Sequence, residues 1–532
     1  MRFIVNNIHA SVKQSDFETL ERFKKQYVKN SCANVYIHKK SIDARKRDDI
    51  KYVFSFLIET SDKGLIKKLK KQKNTAQEQK SDIKAVFGDK SVIHKPVVVG
   101  AGPAGLFCAY FLAKYGYNPI ILERGEKIED RAKTVEKFHK SGILNENSNV
   151  QFGEGGAGAF SDGKLTTRIS DPIAGDIVRI LSECSGIGEL TYLAKAHIGT
   201  DKLYECVINL RKIITDMGGE FRFCDKLKDI KTENGKIASV ISEQSGEIPC
   251  EILVLATGHS AHDIYKLMYK NNIKMEQKSF SVGVRTEHKR ADIDKIRYGD
   301  FAEFLPAADY SVFHHLADGH TAYSFCMCPG GTVVASQSDK DTVVVNGMSD
   351  FARNKENSNS AICVSVSPQD FGTGIFDGLN FTKKIEQNAF ILGGKNYTAP
   401  IMKLSDFLKI KEAANIPEPT YALGVKETDF SELFPEFITN GLKEGFFAFD
   451  KTMPGFIGCG AVLTACETRT SAPLRITRNE SRQSDSVFGL YPCGEGAGYA
   501  GGIVSAAADG ARTALKIISE YKPTSKQVGN NP

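Results

Sequence analysis

Apolar and polar positions over the first 92 residues change period several times, which predicts a small α+β module. Its elements are a strand at Arg2–Ile8, an amphipathic helix at Asp16–Val28, strands at Val35–Asp43 and Tyr52–Ile58, and a short basic helix at Lys63–Lys71. The order βαββα is that of a split-βαβ or ferredoxin-like unit. Gln72–Asp82 has almost no large apolar residue and reads as a linker. From Lys95 to Gly125 a β-branched strand, a glycine turn, a helix and a second strand follow within one βαβ length. Helical patterns then cover Lys127–Lys140 and Leu203–Met217. Phe221–Ile252 alternates in short strands broken by the hairpin signals Asn234-Gly235 and Ser245-Gly246. From Phe280 to about Phe449 the pattern is mixed and β-rich, an expected insertion, before Gly489–Lys516 returns to strand, glycine turn and helix.

This division predicts an accessory domain at 1–92, a first nucleotide-binding part at 93–278, an inserted substrate domain at 279–450, a second nucleotide-binding part at 451–520 and a polar tail at 521–532. The expected class is α/β, a Rossmann-like domain carrying a β-rich α+β insertion behind a ferredoxin-like N-terminal domain.

Composition adds one asymmetry. The 532 residues carry 70 basic and 64 acidic side chains, with 41% hydrophobic and 25% charged residues, ordinary for a globular protein. Residues 1–95 hold 22 basic against 11 acidic side chains, and the rest 48 against 53, so a basic front precedes a mildly acidic body. Twelve cysteines and a first strand without an apolar h-region predict reduced thiols, no signal or transit peptide, and a cytoplasmic protein. The uncharged run Pro96–Ala113 contains three glycines and two prolines, and no membrane span is expected from it.

That run holds the most specific motif. Val97-Val98-Val99 leads into Gly100-Ala101-Gly102-Pro103-Ala104-Gly105, a G-x-G-x-x-G on a strand-to-helix turn. The first glycine makes the turn, the second admits a pyrophosphate and the third lets helix and strand pack closely. Pro103 suits a first helical turn, and the helix N-terminus offers free N–H groups to phosphates. The next strand ends at Glu123, followed by Arg124, where a carboxylate can accept ribose hydroxyls. Gly153-Glu154-Gly155-Gly156-Ala157-Gly158 repeats the letters without a preceding buried strand. A glycine-rich loop over a flavin, including Lys164, is expected there rather than a second nicotinamide site.

Two further motifs choose the cofactor. Leu253–Leu255 running into Ala256-Thr257-Gly258 resembles the second FAD contact of large two-dinucleotide-type flavoproteins. Gly494-Glu495-Gly496-Ala497-Gly498 through Gly501-Gly502-Ile503 resembles their C-terminal motif, whose acidic residue, Glu495 here, binds the ribityl chain. Together with QFGEGGAGAFSDGKLT (151–166), ATGHSAHDIY (256–265), YSFCMCPGG (323–331) and ETRTSAPLRITR (467–478), the chain is similar to the bacterial family of uncharacterised FAD-dependent dehydrogenases. The resemblance covers most of 95–514 and implies FAD and an oxidoreductase fold, without a substrate. His262 stands where that family's pattern has arginine, and no role is carried onto it.

Candidate chemistry is sparse, because flavin itself moves the electrons. Arg469, Arg475 and Arg478 either bind an anion or form structural ion pairs. Arg285 and His288 end a strand at the expected domain junction, His288 as a proton donor or a satisfied structural histidine. Cys326 and Cys328 form a C-x-C pair, not the C-x-x-C of flavin disulfide reductases, and read as reduced thiols at a strand end or lining a pocket in preference to a redox-active disulfide, with Cys328 kept as a catalytic candidate. No zinc spacing appears, so no metal is expected. The favoured reading is an FAD-dependent oxidoreductase moving a hydride or two electrons between flavin and a small substrate. NAD(P)H as a transient co-substrate or a protein electron partner would complete the cycle. The alternatives are an RNA-modifying flavoprotein using the basic module, disfavoured because Lys63–Lys73 lacks interleaved aromatics, and a non-enzymatic flavin-binding sensor or assembly factor.

Overall fold

The computed structural model describes residues 1–29, 31–78, 85–167 and 169–523. At its centre is a five-stranded parallel sheet in the order Leu490–Pro492, Leu253–Leu255, Val97–Val99, Ile120–Leu122, Glu220–Arg222. Counted along the chain this is 5-4-1-2-3, the doubly wound order, in which ligands bind beyond the carboxyl ends of the strands at the switch point. The first, second, fourth and fifth strands are each a fully buried three-residue apolar run, as a sheet covered on both faces requires. Helices Pro103–Lys114 and Ile503–Ile518 pack against each other on one face. They approach so closely that a Cβ on Gly510 would lie 2.0 Å from the Ala104 carbonyl oxygen.

The N-terminal unit completes a ferredoxin-like fold. Its antiparallel sheet runs Ala33–Asp43, Lys51–Thr60, Arg2–Ser11, Thr75–Gln77. The fourth strand lies within the stretch expected to be a linker. Thr75–Gln77 pairs with Phe3–Val5 through the backbone alone, so its polar side chains give no apolar alternation to read. The linker's remaining residues 79–82, and most of the polar tail (524–532), lie outside the described residues.

Residues 227–249 form a three-stranded meander whose first turn places Asn234 at φ 49° and Gly235 at φ 74°, the left-handed pair a tight hairpin needs. A seven-stranded mixed sheet forms the second body: Phe313–His315, Thr321–Cys328, Asn357–Val366, Phe280–Lys289, Val462–Glu467, Ala399–Lys403, Val425–Glu427. Its helices Asp377–Gly393 and Glu436–Thr452 lie where the sequence pattern had suggested strands and polar loops. Gly441 and Gly445 in the second of these cost helix propensity, and they are there for packing. A Cβ would meet Leu316 at 2.7 Å and Ala322 at 2.6 Å, so the helix can only reach its sheet without them. Among the described residues no helix is long and apolar enough to cross a membrane.

Candidate functional site

A cleft partly open to solvent lies beyond the carboxyl ends of the parallel strands. Its floor is the Gly100–Ala104 turn, flanked by Glu123 and Arg124, by Ala256-Thr257-Gly258 and by Glu495, Gly502 and Ile503. Gly156, Ala157, Gly158 and Lys164 form one side, and Phe325, Cys326 and Asn346 reach it from the seven-stranded body.

The motifs meet through backbone contact. A Cβ on Gly496 would sit 2.4 Å from the Gly258 carbonyl oxygen, which only glycine permits, and Tyr265 Oη donates to the Gly496 carbonyl at 2.7 Å. Gly155 N donates to Ala101 O at 2.8 Å, tying the glycine-rich loop to the first turn. Gly105, Gly155 and Gly494 lie behind the cleft: their Cβ positions are taken by Gly100 O, Val207 with Ala159, and Ala104. Gly501, exposed at the rim, does not line it.

Glu123 is buried and accepts three backbone hydrogen bonds, from Ala101 N (2.8 Å), Gly125 N (2.9 Å) and Gly153 N (3.0 Å). The same carboxylate expected to meet ribose therefore also staples three turns together. Arg124 donates to Asp263 at 2.9 Å and lies over the Phe152 ring. Burial alone would raise Asp263, and Arg124 with Lys226 holds it below the usual carboxylate range.

The glycine-rich loop is clamped by a residue the sequence did not single out. Arg131, fully buried, donates to the carbonyls of Asn149 (2.9 Å), Val150 (3.0 Å), Gly153 (3.3 Å) and Glu154 (2.6 Å). The signal was present: Ile128, Arg131, Val135 and Phe138 share the buried stripe of one helix, so an arginine stands on an apolar face. Burial raises the neighbouring Glu154 to about 7 although Ile128 N and Arg211 oppose it. Farther along, Asp162 pairs with Arg353 (Nε to Oδ1, 2.8 Å) and with Lys164 (2.7 Å). Gln151 Nε2 donates to Ser336 O at 3.2 Å, so the loop is fastened to the second body at both ends.

The four catalytic candidates fall in different places. His288 is fully buried away from the cleft, its Nε2 3.0 Å from Phe456 O, and burial lowers it to about 4; it is a core histidine. Arg285 is buried behind the wall, held by Glu467 (Nε, 3.0 Å), Asn359 (3.1 Å), Asn346 (2.8 Å) and Cys326 O (2.7 Å). Cys328 is buried, and Cys326, not Cys328, faces the cleft. Arg469 lines it, but Glu386 (3.1 Å), Asp339 (3.1 Å) and Ser338 take its donors. Arg478 is likewise committed to Asp509 and Arg475 to Glu276, so the arginine trio resolves as ion pairs. His259, whose place beside the Ala256-Thr257-Gly258 turn offers the same two readings as His288, lines the cleft with Nδ1 3.4 Å from Glu495, and its buried Nε2 has no hydrogen-bond partner.

Residues 279–470 match the family described as FAD-dependent protein, C-terminal domain-like, and 98–145 the NAD(P)-binding Rossmann-like domain. An uncharacterised protein of Clostridium beijerinckii is 44% identical over 533 residues, covering 98% of this chain and 99% of that one. The chain belongs to the bacterial family of uncharacterised FAD-dependent oxidoreductases. Among solved structures, glycine oxidase from Bacillus cereus is 11% identical over 80% of this chain and 95% of its own, with a TM-score of 0.35. A geranylgeranyl bacteriochlorophyll reductase-like protein from Thermoplasma acidophilum is 11% identical over 81% and 79%, with a TM-score of 0.34.

The family is FAD-dependent, so FAD is the cofactor of this oxidoreductase, and the cleft fits it on its own terms. Helices Pro103–Lys114 and Ile503–Ile518 both begin at the cleft with a glycine cap and no side chain satisfying their first N–H groups. Uncapped N-termini of this kind suit phosphate or a developing negative charge. Cβ positions on Gly258 and Gly502 meet nothing within 4 Å, leaving backbone bare toward open space, and His259 Nε2 waits unpaired beside them.

Proposed function

We propose that this flavoprotein moves a hydride or two electrons between FAD and a small substrate in the cleft between its parallel sheet and its seven-stranded sheet. The convergence of three glycine-rich turns on two uncapped helix N-termini at the switch point carries the reading. In it, Gly100, Gly102, Pro103, Ala104 and Gly105 form the pyrophosphate turn, and Glu123 takes the adenosine ribose. Gly156–Gly158 and Lys164 cover the flavin, Ala256–Gly258 support it, and Glu495, Gly502 and Ile503 hold the ribityl and ring end, with Gly155, Gly494 and Gly501 shaping these turns from behind or beside the cleft. FAD supplies the two-electron chemistry, and the chain excludes water and orients the substrate. Residues 1–92 act as an accessory module, and 279–450 supply the substrate-side wall. Reduction by NAD(P)H in the same cleft, or by a protein partner, closes the cycle.

Purified protein should be yellow, and Gly102→Asp, which places a carboxylate where phosphate must lie, should be colourless. Wild type that is colourless and takes up no added FAD would refute the cofactor assignment. Anaerobic mixing with NADH and NADPH separates the donors: bleaching by either assigns a nicotinamide, and bleaching by neither assigns a protein or substrate donor. A flavin that no metabolite or nicotinamide reduces would instead point to a sensor.

A further inference from the structure

The charged groups at the cleft are nearly all spent. Arg124 is paired with Asp263, Lys164 with Asp162, and Arg469 with Glu386 and Asp339. Among the described residues lining it, the thiol of Cys326 and the imidazole of His259 remain as reactive groups.

Cys326 is placed there by a local break in the sheet. Strand Thr321–Cys328 pairs with Asn357–Val366 in register up to Phe325↔Ala361, then resumes at Cys328↔Asn359, so Cys326 and Met327 oppose a single residue. Such a bulge re-aims a side chain, and here Cys326 takes φ 43°, a left-handed conformation uncommon for a residue with a Cβ. Two cations are anchored on the bulge itself: Lys164 Nζ donates to Met327 O, and Arg285 donates to Cys326 O at 2.7 Å. Cys328 follows, its Sγ 3.4 Å from Cys326 O. Two residues span at most about 7 Å of extended chain, the upper edge of disulfide reach, so two cysteines at i and i+2 can be bridged unless the backbone is fully extended.

We propose that Cys326 and Cys328 form a redox-active dithiol/disulfide pair in the wall of the flavin cleft, with Cys326 as the thiol that meets a small, uncharged disulfide substrate. It rests on the reading of the cleft as the flavin site. The Cys326 thiolate attacks one sulfur of the substrate. The substrate S–S bond breaks, a mixed disulfide forms and one thiol leaves. Cys328 then attacks Cys326 Sγ, and the mixed bond breaks to release the second thiol. Two protein thiols are oxidised to a disulfide, one substrate disulfide is reduced to two thiols, and the two thiol protons end on the products through solvent. Two equivalents of a small thiol reverse the sequence.

The electrostatics agree with these roles. Hydrogen bonding from Cys328, reinforced by Lys164 and Arg285, holds Cys326 well below the ordinary thiol range against burial and Asp162. Its own pairing and burial drive Cys328 up. Glu467, also near, is tied to Arg285. An accessible low-pKa thiol beside a buried high-pKa one matches an attacking and a resolving cysteine.

The test uses the full-length holoprotein with bis(2-hydroxyethyl) disulfide as probe. Wild type should lose two thiols, and peptide mapping should find Cys326 joined to Cys328. Cys328→Ser should instead trap one mercaptoethanol adduct on Cys326. Iodoacetamide at about pH 6 should label Cys326 at least about tenfold faster than the exposed Cys32 and Cys224. This measurement needs no variant to fold. Labelling no faster than Cys32 and Cys224, or an adduct that persists in wild type beside a reduced Cys328, would overturn the proposal. Flavin absorbance is followed in the same sample. Yellow protein with an inert Cys326 defeats the thiol pair alone, whereas colourless protein with an intact exchange reaction defeats the flavin reading and supports the pair.

Discussion

Replacing Arg131 with methionine tests whether one buried cation orders the loop over the cofactor. Methionine keeps the aliphatic bulk and removes all four hydrogen bonds to the carbonyls of Asn149, Val150, Gly153 and Glu154. Bonds from a charged donor contribute roughly 1.5–3 kcal/mol each, but the guanidinium's own desolvation opposes them, so a net cost of about 4 kcal/mol is reasonable. Part of the helix Ile128–Ser141 still packs through Ile128, Val135 and Phe138, so the loss should concentrate in the loop and leave the sheet standing. If the whole cost falls on loop ordering, FAD affinity drops about a thousandfold, at 1.4 kcal/mol per factor of ten. Titrating apo-protein with FAD and following flavin fluorescence reads this directly, with limited proteolysis between residues 149 and 160 as the companion measurement. An R131M protein that binds FAD within about threefold of wild type, with unchanged proteolysis, would show that the clamp does not organise the cofactor loop.

Other perturbations follow from the same geometry. Glu123→Gln turns an amide N–H toward one of three backbone donors and should cost about 2 kcal/mol, read as weaker FAD retention during gel filtration. Gly510→Ala forces a methyl group onto the Ala104 carbonyl and should lower the thermal midpoint by several degrees, because the two helices cannot both keep their places. His288 is lowered from 6.5 to about 4, so the unfolded chain binds its proton first as pH falls. Stability should therefore be fully present above about pH 6.5 and decline by about 3 kcal/mol on going down to about pH 4. His288→Gln should flatten that decline in urea titrations at a series of pH values, and an unchanged slope would refute the assignment.

The elements that were legible are those whose signal is local. Val97–Val99 with its glycine turn, Asn234-Gly235 at its hairpin and the helix after Gly502 each carry their geometry in consecutive residues, because backbone sterics and short apolar runs decide them. Thr75–Gln77 escaped notice because an edge strand of three polar residues is held by main-chain bonds that any side chain allows. Glu436–Thr452 was hidden by two glycines that the helix tolerates only because Leu316 and Ala322 press against them.

Within the cleft the division is the same. Sequence alone determined the class of cofactor, since the turn at Gly100 is a backbone device spelled out by glycine and strand, and those at Gly258 and Gly494 resemble the motifs of known flavoproteins. Tertiary structure decided which polar side chains are free to act. His288 read as proton donor or structural residue and is buried with Arg285, Arg469 read as anion binder or ion pair and is paired, and Cys326 is carried to the cleft on a bulge between two cations. A side chain's availability depends on partners more than a hundred residues away, such as Glu467 for Arg285 or Met327 for Lys164, and that pairing energy is written in the tertiary packing, not in the neighbouring letters.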